Sequence, residues 1–255
     1  MRISLGRFGQ WRSIKEGRNT RPVSFLGDII RPPVLQDTSM SPQYDPPIVL
    51  EPQQPARACV IWLHGLGADG NDFVPIVPEL RLPDEMAIRF VFPHAPVQPV
   101  TINGGYPMRA WYDIQEADLQ RRLDLAGVAD SVAYLQQLID AQLAADIPLE
   151  RLVLAGFSQG GVVALECALQ MPRKPAGVLA LSTYLARARG EGQGLRVFQA
   201  HGTEDPVVPM STALQARTQL GALGADVDWH EYPMPHSVHP TEITEMAGWL
   251  RARLA

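Results

Sequence analysis

From residue 48 onward the chain alternates between two apolar patterns. Near-continuous apolar runs occur at 58–65 (ACVIWLHG), 87–96 (AIRFVFPHAP), 151–158 (RLVLAGFS), 176–183 (AGVLALST) and 195–202 (LRVFQAHG). Such runs predict strands buried on both faces of a sheet. A sixth strand is predicted at 226–233 (DVDWHEYP), where Val227, Trp229 and Glu231 alternate with Asp228, His230 and Tyr232. Between the runs, apolar residues recur at three- and four-residue spacing. The longest such stretch is 118–146, carried by Leu123, Val128, Val132, Leu135, Leu138, Ile139 and Leu143. Further helices are predicted at 159–171, at 209–224 and at 239–254, the first closed by Pro172 and the second by Gly224. A Gly-rich loop follows the first run and leads into a helical segment, with Asp69, Asn71 and Asp72 as candidate caps. Residues 100–114 read as a turn-rich connection with aromatics.

Strands and helices in this alternation predict an α/β fold, with a mostly parallel twisted sheet and helices on both faces. Ligands of such sheets bind beyond the carboxyl ends of the strands. The residues just after each strand are therefore the ones to inspect. They include His64 to Gly67, His94, Ser158-Gln159, Ser182, Gly202 to Asp205, and Met234 to His239. Reactive and polar types recur there.

Gly156-Phe157-Ser158-Gln159-Gly160 fits G-x-S-x-G. Chance alone supplies roughly 0.1 such match in a chain of this length. This match also lies between a predicted buried strand and a helix, where a nucleophile elbow belongs. The turn is tight, so side chains at Gly156 and Gly160 would collide with the neighbouring strand and helix. The competing reading is a Gly-rich turn with a capping serine.

A serine hydroxyl needs a base. On an elbow fold the chain order is Ser, acid, His. His201 precedes the acid candidates, and His230 alternates within a strand. His236, in the loop YPMPHSVHP, is the preferred base, and His239, beside the start of the last helix, is the second choice. The acid holds the imidazole in one tautomer. Asp205 in HGTEDPVVP is preferred and Glu204 held in reserve, because the residue before a proline avoids helix. Both could instead cap a following helix. Oxyanion donors are expected from the backbone N–H of Gln159 and from the loop HGLGADG, with Leu66 the favoured second donor.

Composition narrows the class. The net charge is −5, so nothing marks a general nucleic-acid binder. No apolar run approaches the length of a membrane span. Cys59 and Cys167 sit in apolar segments and read as buried free thiols of a reducing, cytoplasmic compartment. No CxxC or HExxH spacing is present, so no metal site is expected. Residues 1–39 hold seven Arg/Lys and three Asp/Glu and lack a secretory h-region. They are expected to be an appendage, either a flexible arm or the product of a start upstream of Met40. Residues 40–255 then form a single domain.

Taken together, LHGLGADGNDF, FPHAP, MRAWYDI, LAGFSQGG, HGTEDPVVP and YPMPH resemble the phospholipase/carboxylesterase family of α/β-hydrolases, collinearly from about residue 48 to the C-terminus. The resemblance implies Ser158 as nucleophile, Asp205 as acid, His236 as base, and Leu66 and Gln159 as oxyanion donors. It implies hydrolysis of short- to medium-chain carboxylic esters, with thioesters as a second class, no cofactor, and a small-molecule ester as partner. Homodimers are common in the family. Phe73 and Trp111 are candidate substrate-pocket residues, and 97–118 a lid-like loop in place of a large cap. Acyl-protein thioesterase or lysophospholipase-type activity is the nearest alternative. A catalytically silent binding protein on the same scaffold is the remote one.

Overall fold

In the computed structural model, residues 44–116 and 123–254 are described; the proposed appendage at 1–39 lies outside them. The main sheet has seven strands: β1 (Ile48–Leu50), β2 (Ala58–Leu63), β3 (Ile88–Phe92), β6 (Leu152–Phe157), β7 (Gly177–Leu181), β8 (Arg196–Gly202) and β9 (Asp226–Tyr232). Their order is β1-β3-β2-β6-β7-β8-β9. Only β1 is antiparallel to its neighbour. It is an edge strand of three residues, too short to leave a periodic signal in the sequence.

Every residue of β2 and β6 is buried. The alternation of a strand divides them between two core layers. Cys59, Ile61 and Leu63 face the layer covered by α2 (Leu125–Ala144) and α3 (Gln159–Gln170). Ala58, Val60 and Trp62 face the other, with Ile76 of α1 (Ile76–Glu79) and Met246 and Leu250 of α5 (Pro240–Leu254). The remaining long helix, α4 (Met210–Ala222), lays Ala216 and Leu220 on the first layer. Asp124 starts α2 by accepting from the Gly127 N–H at 3.0 Å. Among the described residues, both cysteines are free and buried, and no helix is long and apolar enough to cross a membrane.

Two strands lie in the segment 97–118, expected as a lid-like loop. Strands β4 (Val97–Val100) and β5 (Tyr106–Arg109) form a separate hairpin, with Pro99 opposite Pro107. Proline donates nothing to a ladder and weakens any strand signal. Gly104 and Gly105 take positive φ (68° and 76°) and supply the turn. Among the described residues this hairpin is the only β insertion, and no cap domain covers the sheet.

From β2 the chain moves to β3 on one side, and later to β6 on the other. The crevice at the carboxyl ends of β2 and β6 is thus the switch point of the sheet, where ligands of such folds bind. The loop after β2 and the residue after β6 meet there.

Candidate active site

Ser158 stands between β6 and α3 with φ 53° and ψ −118°. A non-glycine residue at positive φ is strained, and such strain gathers at functional sites. Its neighbours hold it there. The Ser158 N–H donates to Leu181 O at 2.9 Å, and Thr183 Oγ1 donates to Ser158 O at 2.6 Å. The expected clearance is also present. A Cβ at Gly156 would meet the Gly160 carbonyl at 2.4 Å, and one at Gly160 would meet Leu63 O at 2.5 Å. Strand and helix close on each other with no room for a methyl group.

Asp205 and His236 come from loops far apart in sequence. His236 Nδ1 lies 2.7 Å from Asp205 Oδ2, and both residues are buried. The other carboxylate oxygen accepts from the N–H groups of Val207 and Val208 at 2.8 and 2.9 Å. Asp205 therefore caps its own turn while holding the imidazole; α4 starts only at Met210. Burial pushes the Asp205 carboxyl up. The His236 hydrogen bond and charge, with the two backbone donors, outweigh burial and hold it below the ordinary carboxylate range. The His236 ring packs on Phe157, the residue before the serine, with centroids 4.7 Å apart. His236 thus packs on the residue next to Ser158 in the chain.

The other candidates fall elsewhere. Glu204 is exposed, and its N–H donates to Met234 O. His239 caps α5: its Nδ1 accepts from the Thr241 N–H, and its own N–H donates to Glu242. His230 stacks on Phe198 and pairs with Asp228 and Glu245. His201 is fully buried under the acid turn, where Nε2 donates to Val208 O at 2.8 Å. Burial lowers its proton affinity and keeps it neutral.

Gly202 explains how the Asp205 and His236 loops approach. A Cβ there would lie 2.3 Å from Met234 O and 2.7 Å from Pro235 O, just before the base. The motif HGTEDP carries this glycine, but only the fold shows what passes over it. Gly202→Ala should push the His236 loop away and lower kcat by about 10- to 100-fold. Steady-state kinetics beside a thermal melt checks this; unchanged kcat would mean the loop tolerates the displacement.

Leu66 lies in the loop after β2. Its flanking groups are used: His64 O accepts from Trp111 Nε1, and the Gly67 N–H donates to Arg109 O, both at 2.8 Å. Among the described residues, no acceptor takes the N–H of Leu66 or of Gln159. A Cβ built on Gly65 would fall 3.6 Å from Ser158 Cβ, so this loop borders the serine. His64 braces the loop from beneath. The Ala95 N–H donates to Nε2 at 3.0 Å, so the ring proton is on Nδ1, which donates to Gly65 O at 2.7 Å. Burial lowers the His64 pKa to about 4, so this tautomer persists through mildly acid solution.

Phe73 and Trp111 are 3% and 1% exposed. Phe73 stacks on Trp62 and tilts against Phe157. Trp111 packs by His64. Met108, half-buried and 3.9 Å from a Cβ built at Gly67, borders the loop from the hairpin. Its role depends on the hairpin, so the sequence carried no signal for it. Among the described residues no group of His, Cys, Asp or Glu side chains is placed to hold a metal ion. A buried imidazole–carboxylate pair near a half-buried elbow serine, with free N–H groups nearby, is suited to acyl transfer.

Comparison with known proteins agrees with this chemistry. The family profile described as Phospholipase/Carboxylesterase matches residues 45–254. Acyl-protein thioesterase 1 of Mycosarcoma maydis is 39% identical over 227 residues, covering 80% of this chain and 95% of that protein. Acyl-protein thioesterase 1 of Gibberella zeae is 34% identical, covering 82% and 95%. The crystal structure of Zea mays acyl-protein thioesterase 2 superposes with a TM-score of 0.72 at 29% identity, covering 83% of this chain and all of that one. The chain belongs to the phospholipase/carboxylesterase family of α/β-hydrolases, enzymes that cleave carboxylic ester and thioester bonds.

Proposed function

We propose that the chain is a serine carboxylesterase acting on short- to medium-chain esters through an acyl-enzyme on Ser158. His236 takes the Ser158 proton as the hydroxyl attacks the carbonyl carbon, then delivers it to the leaving alcohol or thiol. Water repeats the sequence in reverse roles and releases the acid. Asp205 orients the imidazole and stabilises its charged form. The N–H groups of Leu66 and Gln159 receive the oxyanion, and the N-terminus of α3 adds its dipole. The observation that carries this reading is the 2.7 Å Asp205–His236 bond beside a positive-φ serine.

The names of the relatives favour a second substrate class, acyl thioesters on proteins, which the same machinery would cleave. The reading extends to a single domain over 40–255, with the preceding residues an appendage. It also includes a cytoplasmic protein that keeps its thiols reduced, a homodimeric assembly and no nucleic-acid partner. In this reading the buried Phe73 and Trp111 back the acyl pocket and the half-buried Leu66 side chain lines it. The test is a chain-length series of p-nitrophenyl esters and matched acyl thioesters. The expected optimum is at short to medium esters. A kcat/KM for thioesters at least about tenfold above matched esters would move the assignment to a thioesterase.

A further inference from the structure

Segment 109–112, the RAWY of MRAWYDI, touches both proposed oxyanion donors' surroundings at once. On one side it grips the loop around Leu66. Arg109 O accepts from the Gly67 N–H, and Trp111 Nε1 donates to His64 O, each at 2.8 Å. The two ties bracket Leu66, one residue after it and two before it. On the other side it grips the residue after the nucleophile. The Trp111 N–H donates to Gln159 Oε1 at 2.8 Å, and Gln159 Nε2 donates to Tyr112 O at 2.6 Å. The Gln159 side chain is 98% buried by its 2% exposure, and all of its bonds go to this segment. A Ser131 Oγ hydrogen bond to Trp111 O anchors the bridge to α2.

We propose that the Gln159 side-chain amide and the Trp111 indole are positioning residues that set the distance between the two oxyanion donors, the backbone N–H groups of Leu66 and Gln159. The proposal rests on the Ser158 reading above. A buried glutamine loses rotamer entropy and needs every polar atom paired. A leucine would fill the same space with no such demand. Here the amide couples α3 to the segment that holds the 64–67 loop. Two donors serve one oxygen only if both stay within hydrogen-bond distance of it. No covalent link joins them directly; the RAWY bridge does.

Trp111→Phe keeps a buried ring and removes only the bond to His64 O. Gln159→Leu removes both bonds to the bridge. Each should lower kcat by about 10- to 100-fold and leave KM within about twofold, because the oxyanion exists only past the ground state. Acylation and deacylation should slow by similar factors in single-turnover experiments, since both pass through a tetrahedral oxyanion. An alkylboronic acid, tetrahedral once bonded to the serine oxygen, should lose affinity in parallel. The double variant should be no more than about threefold slower than the slower single one, since both break the same bridge. A purely structural defect would lower the melting temperature without matching the kcat loss to the boronic acid affinity. If Gln159→Leu fails to fold, Trp111→Phe decides alone. Wild-type kcat in Trp111→Phe, or a loss confined to KM, overturns the proposal. Turnover by Ser158→Ala would instead overturn the reading on which it rests.

Discussion

Ser158→Ala should lower kcat for p-nitrophenyl butyrate by about 10⁴-fold or more, with the fold intact. The neighbouring Thr183 hydroxyl cannot replace that of Ser158. Thr183 is buried and spends its hydroxyl on Ser158 O. The base would remain, held by Asp205, with no oxygen nucleophile except water. His236→Ala should cost a similar factor, and the double variant little more, because nucleophile and base act as one unit. Alanine keeps the strained φ of 53°, so the melting temperature should change little. Glycine relieves that strain, and Ser158→Gly should be equally inactive yet more stable than Ser158→Ala by roughly 1 kcal/mol. Equal rates for wild type and Ser158→Ala would remove the serine mechanism outright.

Asp205→Asn should lower kcat by about 10⁴-fold with little change in KM. The carboxylate accepts from His236 Nδ1, which leaves Nε2 as a lone pair for the serine proton. An asparagine amide can turn its NH₂ toward the ring. The proton then moves to Nε2, and the base becomes a donor facing the serine. The turn itself would survive, because an amide oxygen still accepts from Val207 and Val208. Glu204→Gln is the control. Its side chain is exposed and outside the pair, so activity should stay within about twofold. The substitution also alters acid stability. Asp205 has a depressed carboxyl in the folded state. The stability its ionised form contributes is therefore fully present above the unfolded value of about 3.9, and is lost as pH falls through the lower folded value. Wild type should lose stability more steeply than Asp205→Asn below about pH 4 in denaturant titrations. Parallel curves would show that the pair contributes nothing to folding.

His64 should leave no mark on the pH profile of kcat/KM in mildly acid solution. His64 stays neutral down to about 4 because burial penalises its charged form. The loop after β2 therefore keeps its hydrogen bonds to His64 as the solution is made mildly acid.

Much of this architecture is written in local pattern. Strands buried on both faces need apolar residues at every position, and β2 and β6 have them, so their placement follows from the run alone. The elbow is legible for the same reason: Gly156 and Gly160 stand where close packing forbids a Cβ. Strand β1 and the β4–β5 hairpin escaped, one for its length and the other for its prolines. Local pattern loses force where an element is held by pairing rather than by burial.

Chain order and residue type thus determined the fold class and put a serine at a strand–helix turn, with a candidate acid and a candidate base in later loops. The preference for Asp205 and His236 over their neighbours gains its physical support from the tertiary structure, which pairs these two. Asp205 and Glu204 are adjacent, as are the loops of His236 and His239, and no periodicity separates them. Burial and the approach of Met234 over Gly202 do. The same holds for Gln159 and Trp111, 48 residues apart in the chain and joined through one hydrogen bond. Such contacts between distant segments depend on how the strand ends converge, and that is a property of the folded sheet.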